Sequence, residues 1–153
     1  MMLVKATNES QNAEISVVLC MEESADWSDA VPGAQAAVRE AAIAAWSATG
    51  LGGAVELSVV LGDDALLQHL NRRFRGCDSP TNVLSFAMGD DLHVGAIRLA
   101  GDVVIALETL LREADLQGKS PTKHLGHLVV HGVLHLAGFD HGESPAADEM
   151  ERI

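Results

Sequence analysis

Three of the chain's seven histidines fall within the eleven residues HGVLHLAGFDH, at positions 131, 135 and 141. His131 and His135 are four residues apart, so on a helix they lie on one face, one turn apart, and can present both rings to a single ion. Zinc–nitrogen bonds of roughly 2.0–2.1 Å are compatible with that spacing. The segment therefore predicts a metal site with these two histidines as ligands.

The third ligand must come from outside the helix. His127 is also four residues from His131, but it would lie roughly 12 Å along the helix from His135, too far to share one ion. Gly138 follows the last predicted turn and permits the left-handed conformation that reverses the chain, which brings His141 back. We therefore predict His141 as the third ligand. Three imidazoles leave a fourth coordination position for water, as in catalytic zinc sites, and we expect one zinc ion per chain.

The residue after the first ligand distinguishes this site from a known protease pattern. The spacing H-x-x-x-H-x-x-G-x-x-H is that of the metzincin proteases, in which a glutamate follows the first histidine and acts as the general base. Here that position is Gly132, which cannot accept a proton. Peptide hydrolysis by that mechanism is disfavoured, although the metal site is retained.

The composition is that of a globular protein that stays in the cytoplasm. The 153 residues are 48% hydrophobic and 21% charged, which suits one domain with a single core. The apolar runs are too short to cross a bilayer, and the first residues lack a signal-peptide pattern. Two cysteines, Cys20 and Cys77, are too few for a disulfide scaffold, and we expect both to be reduced. The sequence therefore predicts a cytoplasmic protein without a membrane partner.

The net charge of −12 argues against nucleic-acid binding when it is taken alone. Arg72, Arg73 and Arg75 nevertheless lie within four positions, and a bound divalent cation would add local positive charge. The charge total therefore does not exclude a nucleic-acid substrate.

Hydrophobic periodicity and capping signals predict an α+β domain, because strands and helices mix without strict alternation. Residues 1–13 are predicted to form a loose arm, and residues 14–153 a single domain. The expected strands are 15–20, 55–61 and 83–86, with a strand or hairpin ending at 105. The expected helices are 32–50, 63–74, 108–118, 120–138 and 144–153.

HGVLHLAGFDH, together with LNRRFRGCDSPTNVLSF (70–86) and GDVVIA (101–106), resembles the YbeY family of bacterial endoribonucleases. The resemblance implies a zincin-like fold, with a small mixed sheet, packed helices, a metal-binding helix and a following turn. It also implies a single zinc, hydrolysis of single-stranded RNA, maturation of the 3′ end of 16S rRNA, and ribosome quality control. The implied partners are small-subunit rRNA and the ribosome, with ribosomal proteins or a ribosome-assembly GTPase as further candidates and no DNA.

The resemblance gives Arg75 the role of the arginine that the family requires for activity. Chemistry agrees, because a guanidinium contacts phosphate oxygens in pairs, although an arginine that caps the end of a helix is the alternative. Arg72 and Arg73 are better explained as solvated residues, with nonspecific contact to the RNA backbone as the alternative.

Each of the other polar residues near the motifs is a candidate for more than one role. Ser85 and Asn82 are candidates to line the substrate cleft or to form a turn. His127 is a candidate to orient substrate or to support a metal ligand, with a core histidine as the alternative. Asp140 either accepts a hydrogen bond from a ligand imidazole or serves the turn. The remaining histidines are predicted at the surface: His69, His93 and His124.

Two rival functions remain at this stage. One is a zinc-dependent protease, and the other is a non-catalytic adaptor on the ribosome that zinc stabilises. RNA cleavage that depends on Arg75 separates the endoribonuclease from both.

Overall fold

Five strands and five helices are found in residues 16–23, 26–89 and 92–139, the part of the chain that the computed structural model describes. They are β1 (Ser16–Glu22), α1 (Trp27–Ala30), α2 (Ala34–Thr49), β2 (Ala54–Gly62), α3 (Asp64–Arg75), β3 (Val83–Ala87), β4 (His93–Val94), β5 (Ile97–Ala106), α4 (Leu107–Gln117) and α5 (Pro121–Leu136). The predicted α+β class is confirmed. The segment ending at 105 is a hairpin of β4 and β5, and α1 was not predicted. The expected arm at 1–13 and helix at 144–153 lie outside the described residues.

The strands form one mixed sheet in the order β1-β2-β5-β3. β1 pairs with β2 and β2 with β5 in parallel, whereas β3 and β4 both run antiparallel to β5. The register between β2 and β5 shifts after Glu56, which pairs with Leu99, while Leu57 pairs with Gly101. Gly101 has φ +135°, and a Cβ there would come within 2.2 Å of the Phe86 carbonyl oxygen. This bulge therefore requires a glycine.

The two faces of the sheet carry different helices. Val103 and Ile105 of β5 belong to the large core cluster that includes residues of α2 and α5. The intervening Val104 packs instead with Leu84 and with Leu67 of α3. Because side chains alternate along a strand, α5 and α3 lie on opposite faces of the sheet.

Two of the predicted capping residues, Asp63 and Ser120, cap their helices, whereas Asp64 has a different role. The Asp63 carboxylate accepts a hydrogen bond from the Leu66 amide at 2.9 Å, and the Ser120 hydroxyl accepts one from the Lys123 amide at 3.1 Å. Asp64, also expected to cap α3, accepts from the amide and hydroxyl of Thr109 at the start of α4. Asp64 therefore ties two helices together. No helix in the described part of the chain has the length and apolar character needed to cross a membrane.

Candidate active site

α5 carries two of the predicted ligands and is held firmly against the sheet. Its buried side chains are mostly apolar and pack in the large core, and they include Leu125, Leu128, Val129, Val133 and Leu136. This buried stripe recurs every three or four residues, as expected for one face of a helix. The histidines are thus presented from a rigid support.

His131 and His135 lie one turn apart on α5, as the spacing predicted. Both side chains are half-buried, and Nε2 of His135 is buried. Gly138 has φ +92°, and the Phe139 amide donates to the Leu134 carbonyl at 2.8 Å. The left-handed turn predicted at Gly138 is confirmed.

The donor chemistry of this helix face suits zinc. Two imidazoles on consecutive turns of a helix are common zinc ligands, and a glycine with positive φ follows them. The predicted third ligand, His141, and its neighbour Asp140 lie outside the described residues. Within residues 16–23, 26–89 and 92–139, no group of three His, Cys, Asp or Glu side chains is placed to hold a metal ion. His131 and His135 therefore fit a metal site only together with a further ligand from outside the described residues.

Gly132 lies where α5 makes its tightest contact with the sheet. A Cβ at this position would come within 2.6 Å of Val103 Cγ1 and 3.3 Å of the Ser85 hydroxyl oxygen. That hydroxyl donates a hydrogen bond to the Gly132 carbonyl at 3.1 Å. A glutamate at position 132 would therefore clash with Val103 of the sheet. Ser85 anchors the helix, and its predicted contact with substrate stays a prediction.

A buried polar cluster lies toward the other end of the same helix face. The carboxylate of Glu113 on α4 accepts from His124 Nε2 at 2.8 Å and from Asn82 Nδ2 at 3.1 Å. Asn82 and His124 are each 3% exposed. The prediction that His124 lies at the surface was wrong, because its ring turns inward to this carboxylate. His69 and His93 are exposed, as predicted. We call Asn82, Glu113 and His124 the cleft cluster.

His127 lies between the cleft cluster and the candidate ligands. Its ring centroid is 4.5 Å from that of His131 and 6.0 Å from that of His124. Partial burial lowers the pKa of His127, the charges of Lys119 and His124 lower it further, and Glu113 opposes them. The neutral ring therefore dominates at pH 7. His127 is exposed, so it is not the core histidine of the alternative reading, and its role toward substrate stays a prediction.

The three arginines occupy the last turn of α3, on the sheet face opposite to α5. Arg72 and Arg73 are exposed, and the Arg73 guanidinium lies 5.6 Å from the ring centroid of Phe74. Arg75 is half-buried, with Nε buried. The positive charges of all three arginines interact favourably with the negative, C-terminal end of the helix dipole. The helix that carries Arg75 and the helix that carries the histidines are thus on different layers, and β3 is an edge strand of the sheet between these helices.

Sequence reasoning missed Glu113 as a site residue. The sequence predicts an amphipathic helix around Glu113, and a glutamate in such a helix normally faces solvent. The available signal was the spacing of His124, His127 and His131, three and then four residues apart, which places them on one helix face. A carboxylate partner on a neighbouring helix is what a buried histidine on that face would require.

Comparison with known proteins assigns the chain to a family. The family model described as "Endoribonuclease YbeY" matches residues 22–153. The chain belongs to the YbeY endoribonuclease family. The Endoribonuclease YbeY of Paramagnetospirillum magneticum is 52% identical over 132 residues, covering 83% of this chain and 80% of the relative. That of Parvibaculum lavamentivorans is 43% identical over 157 positions, covering 97% and 82%.

A solved structure has a similar fold. The solution structure of TM1509 from Thermotoga maritima matches with a TM-score of 0.53 and 26% identity, covering 88% of this chain and 84% of that one. The region matched by the YbeY family model contains Arg75 and all three predicted histidine ligands. The resemblance drawn from the sequence motifs is confirmed.

Proposed function

We propose that the protein is a metal-dependent endoribonuclease that cleaves single-stranded RNA. His131, His135 and His141 would hold one zinc ion, and Arg75 would clamp a phosphate. The observation that carries the proposal is the placement of two imidazoles on successive turns of a buried helix that ends in a left-handed glycine. Membership of the YbeY family supplies the substrate class.

The surroundings of Gly132 favour phosphodiester over peptide cleavage. A metzincin-type general base has no room at this position, because Val103 fills the space. Phosphodiester cleavage builds negative charge on phosphorus-bound oxygens, which cations stabilise better than a carboxylate would. A bound zinc ion would supply Lewis-acid chemistry for a phosphoryl oxygen and lower the pKa of a coordinated water.

The chain's own residues would bind and orient the RNA. The Arg75 guanidinium can meet two phosphate oxygens at once, and RNA that reached both Arg75 and the α5 histidines would pass the edge strand β3. Arg72 and Arg73 add exposed positive charge beside it, which offsets the overall charge of −12 for a polyanionic substrate. Burial of α5 fixes the directions of the histidines before substrate arrives.

We further propose the cellular roles implied by the family resemblance. These are maturation of the 16S rRNA 3′ end and ribosome quality control in the cytoplasm. Small-subunit rRNA and the ribosome would be the partners, with a ribosomal protein or a ribosome-assembly GTPase as an additional contact. Precursor 16S rRNA incubated with the protein should be shortened at its 3′ end.

Cleavage of end-labelled RNA tests the biochemical proposal. With zinc present, the protein should cut a single-stranded oligonucleotide and spare the same sequence in a duplex. His131→Ala should abolish cutting, and Arg75→Ala should slow it about a hundredfold or more, the scale of losing one donor to a developing oxyanion. His69→Ala and Arg39→Ala are matched controls at exposed positions and should cut at the unaltered rate.

The outcomes separate the rival functions. RNA cutting that survives both His131→Ala and Arg75→Ala contradicts the proposal and indicates a contaminating nuclease. Zinc-dependent cleavage of an unstructured protein substrate would support a protease. Loss of the fold on chelation, with no RNA cleavage by the wild-type protein, would support an adaptor.

A further inference from the structure

A cleft lies beside His131, between α4, α5 and the residue that precedes β3. Its volume is about 160 Å³. The lining residues combine the cleft cluster with an apolar side chain and two further imidazoles: Asn82, Glu113, Gln117, His124, His127, Leu128 and His131. We call it the α4–α5 cleft. Since it adjoins a candidate metal ligand, whatever it holds would be a neighbour of the reacting phosphate.

Hydrogen bonds fix the orientation of Glu113 in this cleft. The Asn82 side chain must direct Nδ2 at the carboxylate, because Oδ1 would repel it. His124 must donate from Nε2, since the contact with Glu113 Oε1 is 2.8 Å. Both donors are 97% buried, so neither can turn away to solvent without disrupting the wall. The Glu113 carboxylate is thus held in place as an acceptor.

Acceptor capacity remains after these bonds are formed. The Glu113 side chain is 19% exposed, and among the described residues the hydrogen-bond partner of Oε2 is Asn82 Nδ2, at 3.3 Å. Asn82 Oδ1 is buried and has no hydrogen-bond partner among the described residues. The exposed part of Glu113 lines the cleft, so its carboxylate remains available to a ligand that carries N–H donors.

The rest of the wall suits a flat ring. Leu128 is 2% exposed and supplies an apolar surface, while His127 and His131 supply imidazole rings. Nucleobases in single-stranded RNA are recognised by this combination of ring contact and hydrogen bonds to their polar edges. An exocyclic amino group presents N–H donors in the plane of the base, which matches the acceptor oxygens of Glu113.

We propose that the α4–α5 cleft is a nucleobase subsite that reads an exocyclic amino group next to the scissile phosphate, with Glu113 as the residue that determines specificity. This inference rests on the proposed endoribonuclease function and adds a base preference to it. A purely structural tie between α4 and α5 would need neither residual acceptors nor a cleft. A tie of that kind joins α4 to α3, where Glu108 accepts from the Asp64 amide at 2.7 Å.

Paired RNA substrates test the subsite. Each single-stranded oligonucleotide would have one cleavage site. One of the two nucleotides that flank the scissile phosphate would carry either guanine or hypoxanthine, and the two flanking positions would be tested in turn. The two bases differ by the 2-amino group, and adenine and purine form a second pair that differs at the 6-amino group. For the wild-type protein, kcat/KM should fall about tenfold when the amino group is removed at one position, as expected for a lost hydrogen bond to a charged acceptor.

Glu113→Gln should remove the difference in kcat/KM between RNAs with and without the amino group. The glutamine amide places a donor where the carboxylate had an acceptor. Glu108→Gln, a matched change on the same helix, should keep the wild-type preference. The wild-type comparison needs no variant, so equal kcat/KM values for every RNA pair would overturn the subsite even if Glu113→Gln failed to fold.

Other outcomes point elsewhere. A preference that persists undiminished in folded Glu113→Gln would overturn the role of Glu113. Sensitivity to a single 2′-deoxy substitution at these positions, without sensitivity to the amino group, would mean that the cleft reads the sugar and would overturn base reading. If the wild-type protein cuts no RNA, the endoribonuclease proposal itself fails.

Discussion

The two glycines within α5 have opposite surroundings. A Cβ at Gly126 would find only Ala41 Cβ, 4.0 Å away, whereas a Cβ at Gly132 would come within 2.6 Å of Val103. The first half of the helix thus leaves room above its neighbours, and the second half is pressed onto β5. Both residues are helical, so the difference lies in packing and not in backbone conformation.

This contrast indicates that the two halves of α5 are positioned by different forces. The half with His131 and His135 is fixed by close backbone approach to the sheet and by the Ser85 hydrogen bond. The half with His124 also packs in the core through Leu125 and Leu128, and it is further held by the hydrogen bond from His124 to α4. Close packing tolerates little change, while a hydrogen-bonded contact loses a more limited free energy when one partner is removed.

Gly132→Ala should have the largest effect on stability. The added methyl group overpacks the contact with Val103, and the free energy of unfolding should fall by about 2–3 kcal/mol. Gly126→Ala is the matched control on the same helix, and it should raise stability by up to about 1 kcal/mol, because alanine is the better helix former. Urea denaturation followed by circular dichroism measures both. Equal effects of the two changes would refute the contrast between the halves.

His124→Ala should have the next largest effect. It removes one of the two buried donors to the Glu113 carboxylate, and unfolding should become easier by about 2 kcal/mol. His69→Ala, at an exposed position of α3, should change stability by less than about 0.5 kcal/mol. Thermal and urea unfolding of the pair give the comparison. A loss no greater than that of the control would show that the cleft cluster does not hold the first half of α5.

Ser85→Ala should have the smallest effect of the three. The change removes one hydrogen bond to the Gly132 carbonyl, worth about 1 kcal/mol. It also relieves none of the contact with Val103, so the second half of α5 should stay in place. Ser47→Ala, at an exposed position in α2, serves as the control. If Ser85→Ala destabilises the protein more than Gly132→Ala, the hydrogen bond and not the packing positions the helix.

The features predicted well from sequence are those that depend on local spacing. The four-residue separation of His131 and His135, the Ser120 cap and the Gly138 turn are set by helix geometry within a few residues, and all three were recovered. The family assignment likewise followed from short motifs.

The features that were missed depend on contacts between distant segments. Position 132 requires a glycine because Val103 lies directly against it. The position of Val103 against α5 follows from the register of β5. His124 was misplaced because its partner, Glu113, lies on another helix. Periodicity gives the face on which a residue lies, but the residue opposite is set by the tertiary arrangement.

The metal content of the purified protein tests the central claim most directly. After growth with zinc and extensive dialysis, elemental analysis should find about one zinc per wild-type chain, as three histidine ligands would hold. His131→Ala and His135→Ala should each reduce this value to near zero, and His69→Ala should leave it unchanged. A wild-type protein without zinc, or His131→Ala protein that keeps its full zinc content while folded, would contradict the account.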